Sequence, residues 1–275
     1  MMSQPVSTSP TVLITGATDG IGYATARRFV DDGATVYLHA PDHDSGERAM
    51  TLLVKDGAEP LRLHLVVADF TRLEEVADLA DMLTLALPGL DVLVNNAAVA
   101  GPERRTCTKD GHEVTFQVNY LAAYLLTTKL MSKLASVRGR VVNVSSVMHR
   151  GGSIGWNNLA RAHQYSPLAM YAQSKLALTM YTRSLAEASG ASLTALSVHP
   201  GLFATRLLRI YGHSGLPGEE AAPILTTLSS PTCAVVDGGY YDGLEPARAA
   251  ALVGNARARD RLDKLTTRLL GSVLD

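Results

Sequence analysis

The stretch Val12-Leu13-Ile14-Thr15-Gly16-Ala17-Thr18-Asp19-Gly20-Ile21-Gly22 decides the fold. Three apolar residues read as a buried strand, the glycines as a turn, and the helix-periodic run from Ile21 to about Asp32 as the helix that follows. Glycines at 16, 20 and 22 let the backbone turn tightly and approach an anion. The helix behind them aims free N–H groups and its positive dipole end at the same place. A lone glycine turn is a weak signal, but the strand before it and the helix after it supply the required context. The next strand, ending at His39, completes a βαβ unit.

Outward from that unit, strands are expected at Thr11–Thr15, Thr35–His39, Arg62–Val67, Val92–Val94, Arg140–Val144, Ser192–Val198 and Ala234–Val236. Short, often wholly apolar strands alternating with helical stretches imply an α/β fold: one doubly wound parallel sheet of about seven strands, helices on both faces. Right-handed crossovers then gather the strand C-termini along one edge. Thr106 to Ser136 reads as one long helix carrying Asn119. Pro167 to about Ser189 reads as another, ended by Gly190.

With 275 residues, 47% of them hydrophobic and 19% charged, the chain suits one globular domain over residues 11–275, after a Ser/Thr/Pro-rich, disordered lead at 1–10. The net charge of −1 offers no case for nucleic acid or an anionic membrane, and no apolar stretch approaches the ~18 residues of a span. Arg257, Arg259, Arg261, Lys264 and Arg268 alternate with acids and read as a solvated helix face. Cys107 and Cys233 are far apart, lack the spacing of a metal or redox pair, and are expected as free thiols in the cytoplasm; no metal site is expected.

A second constellation carries chemistry. Tyr171 and Lys175 stand four apart in Met170-Tyr171-Ala172-Gln173-Ser174-Lys175, on one helix face and about 6 Å apart along its axis. An ammonium there stabilises the phenolate, and a phenol so tuned exchanges protons with an alcohol or ketone near neutral pH. Upstream, the strand Val141-Val142-Asn143-Val144 ends in Ser145-Ser146. Tyr-x-x-x-Lys alone occurs by chance in many helices; the glycine turn beside it raises its weight.

Together these residues resemble the short-chain dehydrogenase/reductase family over nearly the whole chain, and its retinol-dehydrogenase-like subgroup in particular. The resemblance runs through Thr15, Gly16, Gly20 and Gly22, Asp69 after the third strand, Asn95-Asn96-Ala97-Ala98 after the fourth, Asn119, Ser146, Tyr171, Lys175 and Pro200-Gly201. The subgroup is indicated by the insertion from Met148 to Leu159, by Gly201-Leu202-Phe203-Ala204-Thr205 and by Gly238-Gly239-Tyr240-Tyr241. The resemblance implies that Tyr171 is the general acid/base and Lys175 its tuning cation and ribose ligand. It likewise gives Ser146 the substrate oxygen, with Ser145 the adjacent rival, and Asn119 a proton-relay water. It assigns cofactor contacts to Thr15, Gly16, Thr18, Asp19, Gly20, Ile21, Gly22, Asp69, Phe70, Asn96, Ala97, Ala98, Pro200, Gly201 and Thr205. Thr205 serves equally well as a helix cap.

The implied activity is hydride transfer between a nicotinamide dinucleotide and a ketone or secondary alcohol, in the sense of a ketoreductase on a hydrophobic small molecule. The rival reading is a nucleotide-binding protein of the same fold with non-redox work: isomerase, dehydratase or sensor. Cofactor choice falls on His39, Ala40 and Pro41, where neither the acid expected for NAD(H) nor the arginine expected for NADP(H) stands. The missing acid, with His39, His43 and Arg48 nearby, favours NADP(H) over NAD(H); Asp19 pushes the other way. Substrate contacts are expected from Ser146, Met148, Trp156, Leu202 and Phe203, within an insertion at about 147–166 and a lid at about 202–230. In the resembled family the helices around Asn119 and Tyr171 pair with their mates in a second subunit, which implies a homodimer or homotetramer.

Overall fold

The computed structural model describes residues 9–160, 165–202 and 217–274. Its framework is one eight-stranded sheet: β1 (Thr11–Ile14), β2 (Thr35–Ala40), β3 (Leu63–Val67), β4 (Val92–Asn95), β5 (Arg140–Val144), β6 (Thr194–His199), β7 (Tyr240–Asp242) and β8 (Glu245–Ala247). The strand order is β3-β2-β1-β4-β5-β6-β7-β8; only β8 runs antiparallel. The order reverses between β1 and β4, which makes that edge the switch point where a doubly wound sheet opens a crevice. Strands β1, β4 and β5 are almost wholly buried because both of their faces are covered.

One face carries α1 (Gly20–Asp31), α2 (His43–Lys55) and α8 (Ala222–Ser229) over a core that includes Val12, Ile14, Val36 and Val142. The other carries α3 (Leu73–Ala86), α5 (Ala122–Lys129), α7 (Pro167–Ser189) and α9 (Ala256–Leu270) over a core that includes Leu13, Leu93, Val141 and Met180. Alternate residues of β1 thus feed opposite cores, as the pleat requires.

Helix α7 begins on Ser166, whose hydroxyl accepts the Ala169 N–H, with Pro167 at its first position. It ends at Gly190 (φ 54°).

Three expectations are corrected. The seventh strand is Tyr240–Asp242, not Ala234–Val236: a turn closes there as Gly239 N–H bonds Val236 O, and Val236 is 55% exposed. An eighth strand follows. The long helix from Thr106 is helical only from the single turn α4 (Val114–Phe116), because Gly111 (φ 83°) turns the chain and Glu113 caps the Phe116 N–H. It then passes through a π-helical turn, Gln117–Leu121, and breaks at Leu130 before α6 (Met131–Ser136). Finally, the basic face of α9 is not all solvated. Arg259 is buried against Glu187 of α7 and the Val253 carbonyl, and Arg261 stacks on Trp156 at 4.7 Å.

Candidate active site

At the switch point a cleft of about 540 Å3 opens. Gly16, Thr18, Asp19, Gly20, Ile21 and Gly22 form one wall; Asn96, Ala97 and Ala98, with Val99, Ala100 and Val118, form the other; His39, Pro41, Asp69, Phe70 and Thr71 close the far end.

The glycine wall has no room for side chains. A Cβ on Gly22 would lie 2.2 Å from Gly16 O and 2.5 Å from Asn96 Nδ2; Gly16 takes φ 63° with Ala97 Cα 2.7 Å from where its Cβ would be. The walls are laced together. The Thr15 hydroxyl accepts the Asn96 and Ala97 N–H groups at 3.0 Å each, and Asn96 Nδ2 donates back to Thr15 O and Gly16 O. This bare-backbone cradle at the start of α1 fits a pyrophosphate, so the residues present fit a dinucleotide.

His39 is 2% exposed and lies stacked on Phe70. The Gly16 N–H donates to its Nδ1 at 3.0 Å, so the proton resides on Nε2, which donates to Ala68 O at 2.9 Å. Burial lowers its pKa to about 4. It therefore carries no positive charge near neutral pH, which corrects the expectation that it helps attract a phosphate. Its work is to pin the glycine loop. Ala40 is fully buried toward Gly46 of α2 and does not face the cleft.

Asp69 Oδ1 accepts both the N–H and the hydroxyl of Thr71, an Asx-type turn that fixes the carboxylate at the cleft rim. Asp-x-Thr was a legible signal for Thr71. Val99 and Ala100 also line this cleft.

The second part of the site is where β5 meets α7. Lys175 is 2% exposed; its Nζ donates to Val144 O at 2.7 Å and lies 5.6 Å from the centre of the Tyr171 ring. Burial lowers its pKa to about 7. Tyr171 is 4% exposed. The two serines diverge. Ser145 Oγ is 2.7 Å from Thr179 Oγ1 inside the core, whereas Ser146 Oγ turns the other way and accepts the Met148 N–H at 3.3 Å.

Asn119 sits in the π-helical turn, where its Oδ1 accepts the Val99 N–H at 2.8 Å. Its Nδ2 donates to Val99 O and to Ser174 Oγ, tying the β4 loop to α7. Pro200 is buried after β6 and Gly201 takes φ 120°. Met148 and Trp156 are half-buried and Leu202 is 41% exposed. Thr205 and Phe203 lie outside the described residues, as does the 203–216 part of the expected lid.

Against this geometry, residues 10–213 match the short chain dehydrogenase family. The chain belongs to that family. This short-chain dehydrogenase is 33% identical to retinol dehydrogenase 13 of Mus musculus, over 95% of its own length and 84% of the relative's. It is 32% identical to retinol dehydrogenase 12 of Homo sapiens, over 94% and 86%. Polyprenol dehydrogenase of Mus musculus shares 38% over 74% of this chain and 62% of that one. Among solved structures, an uncharacterised protein from Mycobacterium paratuberculosis superposes with TM-score 0.79 at 30% identity, covering 94% and 92%. The retinol-dehydrogenase-like dehydrogenase is thus an oxidoreductase acting on CH–OH/C=O groups, in a family whose cofactor is NAD(H) or NADP(H). Among its described residues no helix is long and apolar enough to cross a membrane, and no group of His, Cys, Asp or Glu could hold a metal ion.

Proposed function

We propose that this dehydrogenase reduces the carbonyl of a hydrophobic small molecule, with Tyr171 as proton donor, Ser146 as hydrogen-bond donor to the carbonyl oxygen and Lys175 as the charge that tunes Tyr171. The bound nicotinamide dinucleotide supplies the hydride. The observation that carries the reading is the buried Lys175 Nζ held by Val144 O and 5.6 Å from the centre of the Tyr171 ring, beside the strand end at Ser146. Removed from water, a cation held there acts on the phenol far more strongly than it would in solvent. Asn119 holds the neighbouring backbone in register. Its side-chain bonds to Val99 and Ser174 support that anchoring role.

The cofactor is NAD(H) in this reading, a reversal of the preference inferred from sequence. The described cleft lining carries two carboxylates, Asp19 and Asp69, and no Lys or Arg. His39 is neutral, His43 pairs with Glu47, and the N-terminus of α2 is already capped by the Asp42 carboxylate. A 2′-phosphate would find carboxylates at Asp19 and Asp69 and no cation on the described cleft lining.

An apolar substrate is supported by Met148, whose N–H meets Ser146 Oγ, and by relatives named for retinol and polyprenol. Residues 217–274 supply a further feature, for α9 lies across the helix pair expected to form a dimer. The Tyr120 hydroxyl is 2.7 Å from Thr266 Oγ1, Tyr124 Oη donates to Asp263, and Glu187 pairs with Arg259. That face is covered by the chain's own helix, which supports a monomer over the homodimer or homotetramer that the resemblance implies; light scattering of the purified protein checks it.

Titration of the protein with NADH and NADPH, followed by nicotinamide fluorescence and then by turnover of a panel of apolar ketones, tests the whole reading. Tighter NADH binding with ketone reduction is expected. Binding of neither nucleotide overturns it.

A further inference from the structure

Strand β5 ends at a carbonyl that is held twice. Ser146 leaves the strand extended (φ −152°, ψ 150°) and opens the 3-10 turn Val147–Gly151. Its carbonyl oxygen accepts the main-chain N–H of His149 at 3.0 Å and lies 2.7 Å from His149 Nδ1. On the opposite side of the ring, Nε2 lies 3.1 Å from the Ala250 nitrogen, in the segment that leads from β8 toward α9. A main-chain N–H can only donate, so Nε2 is the bare nitrogen and Nδ1 carries the hydrogen that Ser146 O receives. The imidazole is therefore held as a single neutral tautomer. It is 0% exposed and packs on the Tyr240 ring at 4.4 Å, and burial keeps its pKa below the ordinary histidine range.

We infer, on the reading of Ser146 given above, that His149 is a positioning residue: its Nδ1–H fixes the Ser146 peptide, and its Nε2 ties that peptide to Ala250. The ring thus ties the serine to a segment 101 residues beyond His149. Rotation of the Ser146 peptide swings Oγ, and Oγ must lie within hydrogen-bond reach of the substrate oxygen to polarise it. The main-chain bond from His149 N alone leaves the carbonyl free to tilt within the 3-10 turn, whereas a second donor from a rigid, buried ring does not. The C-terminal segment is thereby part of the mechanism that aims the serine. The same segment runs into α9, which holds Trp156 through Arg261. Ser146 and Trp156 are thus both braced from residues 250–261.

Two substitutions separate this role from mere packing. His149→Asn places an amide N–H where Nδ1 stood and abandons Ala250. His149→Gln reaches Ala250 and abandons the donor to Ser146 O. Asn, which keeps the donor to Ser146 O and loses only the tie to Ala250, is expected to lose less turnover than Gln, which lowers kcat by about tenfold to 10²-fold, the cost of a misplaced reacting group, with NADH affinity unchanged. Equal losses in both variants, tracking melting temperature, overturn the proposal, as does full turnover in Gln.

The tautomer is read by ¹⁵N NMR of the imidazole, where an Nδ1–H resonance of His149 is expected in the wild type. If the wild type binds NADH but reduces no ketone, the functional reading fails and NMR still decides this one. A Ser146 amide resonance that moves in Gln but not in Asn supports positioning, whereas an Nε2–H tautomer in the wild type overturns it.

Discussion

The cleft beside β1 and the corner where β5 meets α7 solve opposite problems with opposite materials. The cleft is a surface made of backbone: Gly16 and Gly22 have no side chains because any Cβ would strike the opposite wall, and Thr15, Asn96 and His39 pin the peptides that remain. The corner is made of buried side chains, with Lys175 held by Val144 and Asn119 by Val99 and Ser174, partners distant in sequence, and Tyr171 and Ser146 buried beside them. Anion recognition needs close approach of many weak donors, which bare backbone supplies. Proton transfer needs one group in one protonation state, which burial and a few strong contacts supply. Damage to the cleft should therefore appear in cofactor affinity and damage to the corner in turnover.

The sharpest way to break that contrast is Tyr171→Phe, which should cut kcat by at least ~10²-fold while NADH affinity stays put. Near-normal turnover, read by nicotinamide absorbance, would sink the role of the phenol.

Next in size is the pH response of His39. Its folded pKa of about 4 lies below the ordinary 6.5, so the neutral form is favoured by folding. Its contribution is whole above pH 6.5 and is lost as pH falls toward 4, up to about 3 kcal/mol. Denaturant titrations at pH 7 and pH 4.5 should show the wild type losing this stability relative to His39→Gln, which has no titrating ring. Parallel pH profiles would mean that the ring is not held neutral.

Gly22→Ala should weaken NADH binding about tenfold, the order expected from forcing a methyl group into a packed wall at about 1–3 kcal/mol. Turnover at saturating NADH should change less, and a kcat effect larger than the Kd effect would blur the division drawn here. The smallest effect is expected from Pro41→Arg, which adds the cation that the cleft end lacks. The NADPH-to-NADH affinity ratio should rise by about fivefold to tenfold, as a charge-assisted contact would give. An unchanged ratio would place the 2′ position elsewhere.

Much of this was legible along the chain because it is encoded locally. Val12-Leu13-Ile14 followed by the glycine turn, Tyr171 four before Lys175, and Pro167 and Gly190 bracketing a helix each depend on residues within a few positions of one another. The errors arose where local pattern and tertiary demand diverge. Ala234–Val236 has strand-like composition, but the sheet is completed by Tyr240–Asp242, whose register with Ser197–His199 no local rule supplies. Thr106–Ser136 has helical content, but Gly111 and the Glu113 cap delay the start, and the π-helical turn places Asn119 where it grips Val99.

Sequence by itself determined the βαβ start, the doubly wound class and the identities of the paired chemical groups, because strand period, helix period and turn chemistry are properties of neighbouring residues. Tertiary structure alone decided that Ser145 meets Thr179, that His39 is uncharged, that Arg259 is buried, and that His149 joins Ser146 to Ala250. Charge state and orientation depend on what surrounds a group in space: burial penalises the ionised form, and a hydrogen-bond partner 101 residues away selects the tautomer.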